Sequence, residues 1–119
     1  MPGLLGKKRI LLLTTTGRRS GQQRTAILLY VRDRGDYVVI GSNGGGAHHP
    51  TWVLNLRSNA AAIVRIGRAD QAVVADEIED QEDYDRIWSV VVEAFKGYDG
   101  YKRKTSRRIP LVRLRPVDR

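Results

Sequence analysis

The sequence contains no cysteine, one phenylalanine, one methionine and two histidines, and these shortages exclude several kinds of chemistry. Without thiols there is no disulfide framework, no thiolate nucleophile and no thiolate metal site. The two histidines, His48 and His49, are neighbours in sequence and cannot easily converge on one metal; nothing else supplies the remaining ligands of a zinc site. No serine sits in a G-x-S-x-G turn, and a phosphate-binding G-x-x-x-x-G-K-[ST] loop is absent. The glycine-rich stretch at 41–46 lacks the G-x-G-x-x-G spelling of a dinucleotide site. No apolar run approaches the length that spans a bilayer. The opening residues place Lys7, Lys8 and Arg9 after the apolar ones, the reverse of a signal peptide, so a cytoplasmic location is expected. If the chain is an enzyme, a bound cofactor is expected to carry the chemistry, with no metal and no covalent intermediate.

What is present points to an ordinary globular core with an unusual charge distribution. At 119 residues, the whole chain is expected to form one domain. The hydrophobic fraction of 41% and charged fraction of 29% are those of a water-soluble protein. The net charge of +8 is uneven, because Asp76, Glu77, Glu79, Asp80, Glu82, Asp83 and Asp85 hold seven of the thirteen acids. The remainder is strongly basic, with clusters at 7–9, 18–24 and 102–108 that would attract a polyanion.

The hydrophobic pattern predicts mostly strands. Residues 10–16 form a continuous apolar run passing into threonines, read as a strand covered on both faces. Residues 25–32 and 37–41 read as a hairpin turned at Asp33-Arg34-Gly35-Asp36, and 62–66 and 71–75 as a second turned at Gly67-Arg68-Ala69-Asp70. A short helix is expected over 50–59, with Pro50 in its first turn and Trp52, Val53 and Leu56 inward. Tyr84, Ile87, Trp88, Val91, Val92 and Phe95 follow the spacing of one apolar helix face, with Asp80 as N-cap and Gly97 as the stop. A short helix over 98–105 and a last strand over 109–114 complete the pattern. Dominant hairpins and helices confined to 50–59 and 80–105 predict an antiparallel barrel or sandwich with helices outside.

The most informative segment is Thr14-Thr15-Thr16-Gly17-Arg18-Arg19-Ser20-Gly21-Gln22-Gln23-Arg24. Two glycines bound a tight turn, and three guanidinium groups on it supply forked donors suited to phosphate or carboxylate. The plain alternative is a hairpin turn with solvated charges.

This segment resembles the signature of the deazaflavin-dependent nitroreductase family of actinobacteria, whose members use coenzyme F420. The likeness continues through Leu29–Asp33, Gly41–Gly45, His49–Leu56, Tyr98-Asp99-Gly100-Tyr101 and Arg108–Val112. The resemblance implies a split β-barrel of about six antiparallel strands, mainly β, with helices packed outside and the deazaflavin in a groove on its side. It implies cofactor contacts from Arg18, Arg19, Ser20 and Arg24, with Lys7, Lys8 and Arg9 extending the basic track. Further contacts are implied for Ser42, Asn43, Gly44 and Gly45, by way of backbone N–H groups, and for Trp52 and Asn55. It implies Tyr98 and Tyr101 over the substrate pocket, where either hydroxyl, or an ordered water, would supply a proton. The expected activity is hydride transfer between reduced deazaflavin and a small acceptor: a quinone, a nitro compound or an enone. Leu29 and Asn43 stand where the best-known nitro-reducing members carry tyrosine and lysine. A flavin mononucleotide enzyme is the alternative within the same class, and a lipid-, fatty-acid- or nucleic-acid-binding barrel the alternative outside it. Specific nucleic-acid binding is not expected, because aromatics are only 7% and stacking platforms are scarce. A homodimer and at most weak peripheral membrane contact complete the expectations.

Overall fold

The computed structural model describes residues 9–117. The described residues form six strands and three α-helices: β1 (Ile10–Thr16), β2 (Gln23–Asp33), β3 (Asp36–Ile40), α1 (Thr51–Ser58), β4 (Ala61–Ile66), β5 (Ala69–Glu77), α2 (Gln81–Ala94), α3 (Gly97–Lys104) and β6 (Leu111–Pro116). All neighbouring strands are antiparallel, and the order β1-β2-β3-β6-β5-β4 closes into a barrel through the β1–β4 pairing. Two of the hairpins owe their geometry to left-handed turn residues. Arg34 and Gly35 adopt φ of 55° and 87° between β2 and β3, as a type I′ turn requires, and Gly67 adopts 61° between β4 and β5.

Two hydrophobic clusters hold the barrel and its helices. Inside lie Leu11 and Leu13 of β1, Tyr30, Val39, Val64, Val73, Val112 and Leu114, closed by Trp52, Val53 and Leu56 of α1. Outside, Val31, Val38, Ile40 and Leu111 meet Tyr84, Ile87, Trp88 and Val91 of α2. The strands covered on both faces are therefore β3, β6 and the end of β2 at Tyr30 and Val31, with α2 on the outer side. The expectation of that environment for β1 is corrected: its side chains alternate between the interior and a partly open surface, and Ile10 is 43% exposed. A run of leucines hid the period of two that the barrel wall imposes.

α2 begins as its pattern predicts, with the Asp80 carboxylate accepting the Asp83 amide at 2.9 Å. It ends at Ala94 and not at Gly97, which instead opens α3. An ion-pair network ties α2 to the barrel: Asp33 binds Arg86 at 2.8 Å and Arg113 at 2.9 Å. Those two guanidinium groups, Arg86 foremost, hold the Asp33 carboxyl down at about 2. No helix among the described residues is long and apolar enough to cross a membrane.

Candidate functional site

The hairpin loop joining β1 to β2 presents Arg18, Arg19 and Ser20, and Arg24 follows as the second residue of β2. The Gly17 amide donates to the Gln22 carbonyl at 2.7 Å, and the Gly21 amide to the Gly17 carbonyl at 2.8 Å. Gly21 adopts φ 74°, and a Cβ on Gly17 would lie 2.8 Å from Ser20 Oγ. Both glycines are demanded by the turn itself. Ser20 Oγ accepts the Gln22 amide at 3.1 Å, so this hydroxyl also shapes the loop.

Asn55, 1% exposed on α1, fastens the loop to the helix. Its Oδ1 accepts the Arg18 backbone amide at 3.0 Å, and its Nδ2 donates to Thr15 Oγ1 at 3.1 Å. Both ends of the amide are thus committed to protein groups. In this structure Asn55 positions the arginine turn and also lines the groove beside it.

Two adjoining cavities open beside the turn. One of about 180 Å³ is lined by Gly17, Arg18, Arg19, Ser20, Arg24, Thr51 and Asn55. The other, about 310 Å³, adds Thr25, Ala26 and Trp52, and shares Arg24, Thr51 and Asn55 with the first. Trp52 is mainly core, 8% exposed, with one edge on this groove. Thr51 opens α1 behind Pro50, which caps nothing with a side chain, so the first-turn amides add positive potential at the groove. Arg57, Arg65, Arg86, Arg103 and Arg113 are in ion pairs. By contrast, Arg18, Arg19 and Arg24 pair with no carboxylate among the described residues. A wider hollow of about 560 Å³ lies at Arg57, Glu77, Ile78, Glu79 and Arg108. There Arg57 is neutralised by Glu77 through two bonds of 2.9 Å, and Arg108 donates to the Gln81 side chain at 2.6 Å.

The remaining expected residues form a second cluster. Asn43–Gly45 make a single 3-10 turn, with φ of 49°, 64° and 82° at Asn43, Gly44 and Gly45. The Gly45 amide donates to the Ser42 carbonyl at 2.9 Å. A Cβ on Gly45 would come within 3.1 Å of Lys104 Cβ and 3.2 Å of the Tyr101 carbonyl oxygen. Gly45 therefore lets the loop lie against α3, and it is Gly44, with no atom near its missing Cβ, that faces open space. On α3, Tyr98 and Tyr101 stack edge-to-face, ring centres 5.5 Å apart. Both are half-buried against the outer core. Burial, and secondarily Tyr101 beside it, pushes the Tyr98 hydroxyl above its usual value, so it stays protonated at neutral pH. The structure thus gathers Arg18, Arg19, Ser20, Arg24, Trp52 and Asn55 at one groove, and Ser42–Gly45 with Tyr98 and Tyr101 beside α3.

Two residues escaped the sequence reading. Thr51 had a signal, its place behind a helix-opening proline. Arg107 had none: it reaches back from beyond α3 to the Ser42 and Gly46 carbonyls and to His49.

A family model described as F420H(2)-dependent quinone reductase matches residues 2–116. The chain belongs to the F420H2-dependent quinone reductase family. Coenzyme F420 is accordingly its cofactor and reduction its class of reaction. Among related sequences, an F420H2-dependent quinone reductase of Mycobacterium tuberculosis is 38% identical over 106 residues, covering 87% of this chain and 71% of that protein. A solved F420H2-dependent reductase superposes with TM-score 0.79 at 36% identity, over 88% of this chain and 92% of the other. A structure described as a domain-swapped dimer gives 0.80 at 36% identity, over 88% and 78%. A haem-storage protein of Vibrio cholerae shares the barrel with TM-score 0.73 at 19% identity, over 97% and 88%. The split-barrel architecture is therefore that of the family, and mycobacterial relatives agree with the actinobacterial resemblance.

The donor set suits this cofactor. A tail carrying a phosphodiester and several carboxylates needs forked cations and helix-end amides, and the arginine groove offers both.

Proposed function

We propose that the chain transfers a hydride from reduced coenzyme F420 to a small, flat acceptor, with a quinone as the substrate class, and holds the anionic tail at the arginine groove. The observation that carries this reading is the set of three guanidinium groups, unpaired among the described residues, on a turn pinned by Asn55 beside an open groove. Arg57 and Arg86, by contrast, each grip a carboxylate.

Bound F420H2 supplies the hydride. The chain's own residues bind, orient and protonate. Arg18, Arg19 and Arg24 would hold the anionic tail of the cofactor. The Ser42–Gly45 turn would hold the polar edge of the ring, and the Tyr98–Tyr101 pair would wall the acceptor. Reduction of a quinone takes one hydride and one proton, and the Tyr98 or Tyr101 hydroxyl gives that proton before solvent restores it. Neither hydroxyl has a hydrogen-bond partner among the described residues, so each is free to donate. Rate is gained by holding acceptor and hydride donor in register. Nitro compounds and enones accept a hydride in the same geometry and are expected as secondary substrates. The reaction runs in the cytoplasm, and the protein pairs as a homodimer.

The test is anaerobic turnover of F420H2 with a water-soluble naphthoquinone. Saturable oxidation of the cofactor, dependent on both protein and quinone, supports the proposal. Tight cofactor binding with no turnover of quinone, nitro or enone acceptors would reduce the protein to a cofactor carrier.

A further inference from the structure

Arg107 occupies an unusual position. It sits three residues beyond α3, half-buried, yet its guanidinium reaches across 58 to 65 positions of sequence to one loop. Nη2 donates to the Ser42 carbonyl at 2.7 Å and Nε to the Gly46 carbonyl at 2.9 Å. These two carbonyls bracket the Asn43–Gly45 turn. The third bond, 2.8 Å from Nη1, goes to Nδ1 of His49, one residue ahead of Pro50 and α1. One rigid cation therefore ties both ends of the glycine turn to the segment that launches α1.

Beyond the packing of Gly45 against α3, the loop has few polar restraints. Its three positive-φ residues lie in conformations that cost free energy for a non-glycine residue such as Asn43. Its own polar bonds are the two turn amides and Asn43 Nδ2 to the His48 carbonyl at 3.1 Å. Three charge-assisted bonds from one guanidinium are then the main polar restraint from outside the loop, because each is roughly twice as strong as a neutral one.

We propose that Arg107 is a positioning residue for the cofactor loop and that its grip depends on His49 being neutral. This rests on the reading of Ser42–Gly45 as a cofactor-binding turn. An arginine has no acceptor, so the 2.8 Å contact requires a lone pair on His49 Nδ1, with the ring proton on Nε2. Protonating His49 would place an N–H against an N–H and a cation against a cation. The groups facing His49 are Arg107 beyond α3, Arg57 on α1 and Glu77 on β5. Glu77 is the one anion among them, and Arg57 already neutralises it at 2.9 Å. Burial first, then the two arginines, keeps the imidazole below its ordinary value, so the clamp is intact at neutral pH. For a histidine depressed in the folded state, the stabilising effect is complete above the unfolded value and lost as pH falls. The loop should loosen in acid solution, as pH falls through the lowered value of the His49 imidazole.

Two measurements on three proteins test this. Amide hydrogen exchange of residues 42–46 in the cofactor-free protein reads the clamp, and the F420 dissociation constant reads its consequence. Wild type should lose protection at 42–46 and bind F420 roughly tenfold more weakly when pH drops from about 7.5 to about 5, one such bond being lost. His49→Asn keeps an acceptor near the Nδ1 position and cannot be protonated, so both readouts should become flat with pH at near-wild-type values. Arg107→Lys keeps the charge but loses the fork, so protection should be low at every pH. Wild-type protection that does not change with pH, or an unchanged loop in Arg107→Lys, would overturn the clamp. A loop that loosens with acid while F420 affinity holds steady would keep the clamp and remove the Ser42–Gly45 turn from the cofactor site.

Discussion

Replacing Asn55 with alanine probes the link between fold and site most sharply. The substitution deletes two hydrogen bonds, from the Arg18 amide at 3.0 Å and to Thr15 Oγ1 at 3.1 Å. Their environments differ. Thr15 is 1% exposed, so its hydroxyl is left without a partner in a dry site, at a cost of about 1–3 kcal/mol. The Arg18 amide belongs to an exposed turn residue and can turn to water, so its loss costs about 0.5–1.5 kcal/mol. Asn55→Ala should therefore destabilise the protein by about 2–4 kcal/mol, measured by denaturant unfolding. The larger part should be recovered when Thr15→Val removes the orphaned hydroxyl, so the two substitutions should be strongly non-additive. F420 affinity should fall in the same variant under native conditions, because the arginine turn is no longer held to α1. A loss below about 0.5 kcal/mol, or strict additivity with Thr15→Val, would refute the reasoning, since either would mean the bridge contributes little.

Tyr98→Phe and Tyr101→Phe should leave F420 affinity nearly unchanged, and whichever hydroxyl donates the proton should cost roughly 10²-fold in kcat; full activity in both would leave water as the donor. Gly45→Ala should destabilise by about 1–3 kcal/mol, since φ is 82° and the new methyl would lie 3.1 Å from Lys104 Cβ; a thermal melt matching wild type would contradict the close packing of the loop on α3. Asp33, held at about 2 against 3.8 unfolded, stabilises the fold fully above about pH 4, and that contribution is lost as pH falls through about 2. Discounted for the partly open Arg86, the loss should be about 1–2 kcal/mol. Asp33→Asn should flatten acid unfolding in that window, and an unchanged acid transition would contradict the pairing.

Local signals were legible and closures were not. The hairpin at Arg34-Gly35 and the helix at 81–94 announce themselves through turn chemistry and an apolar period, and both are found nearly where expected. The pairings that close the barrel, β1 with β4 and β3 with β6, join segments with no turn between them and leave no local mark. Gly97 looked like a helix stop, yet the chain bends at Phe95 and uses the glycine to begin α3. The arginine turn was readable because its glycines and cations are contiguous. Asn55 was found by family likeness, but its bridging role needs Thr15 and Arg18, forty and thirty-seven positions away. Arg107 was invisible for the same reason, its partners lying on a loop 58 to 65 positions before it.

The most direct test of the account is the F420 dissociation constant of wild type against an Arg18→Ala/Arg24→Ala double variant, with the folded state of both checked by thermal unfolding. Each arginine removed should weaken binding by about 1.5–3 kcal/mol, roughly 10- to 100-fold, while the melting temperature stays put because both side chains lie on the surface. Unchanged F420 affinity in a folded double variant would show that the arginine groove does not hold the cofactor.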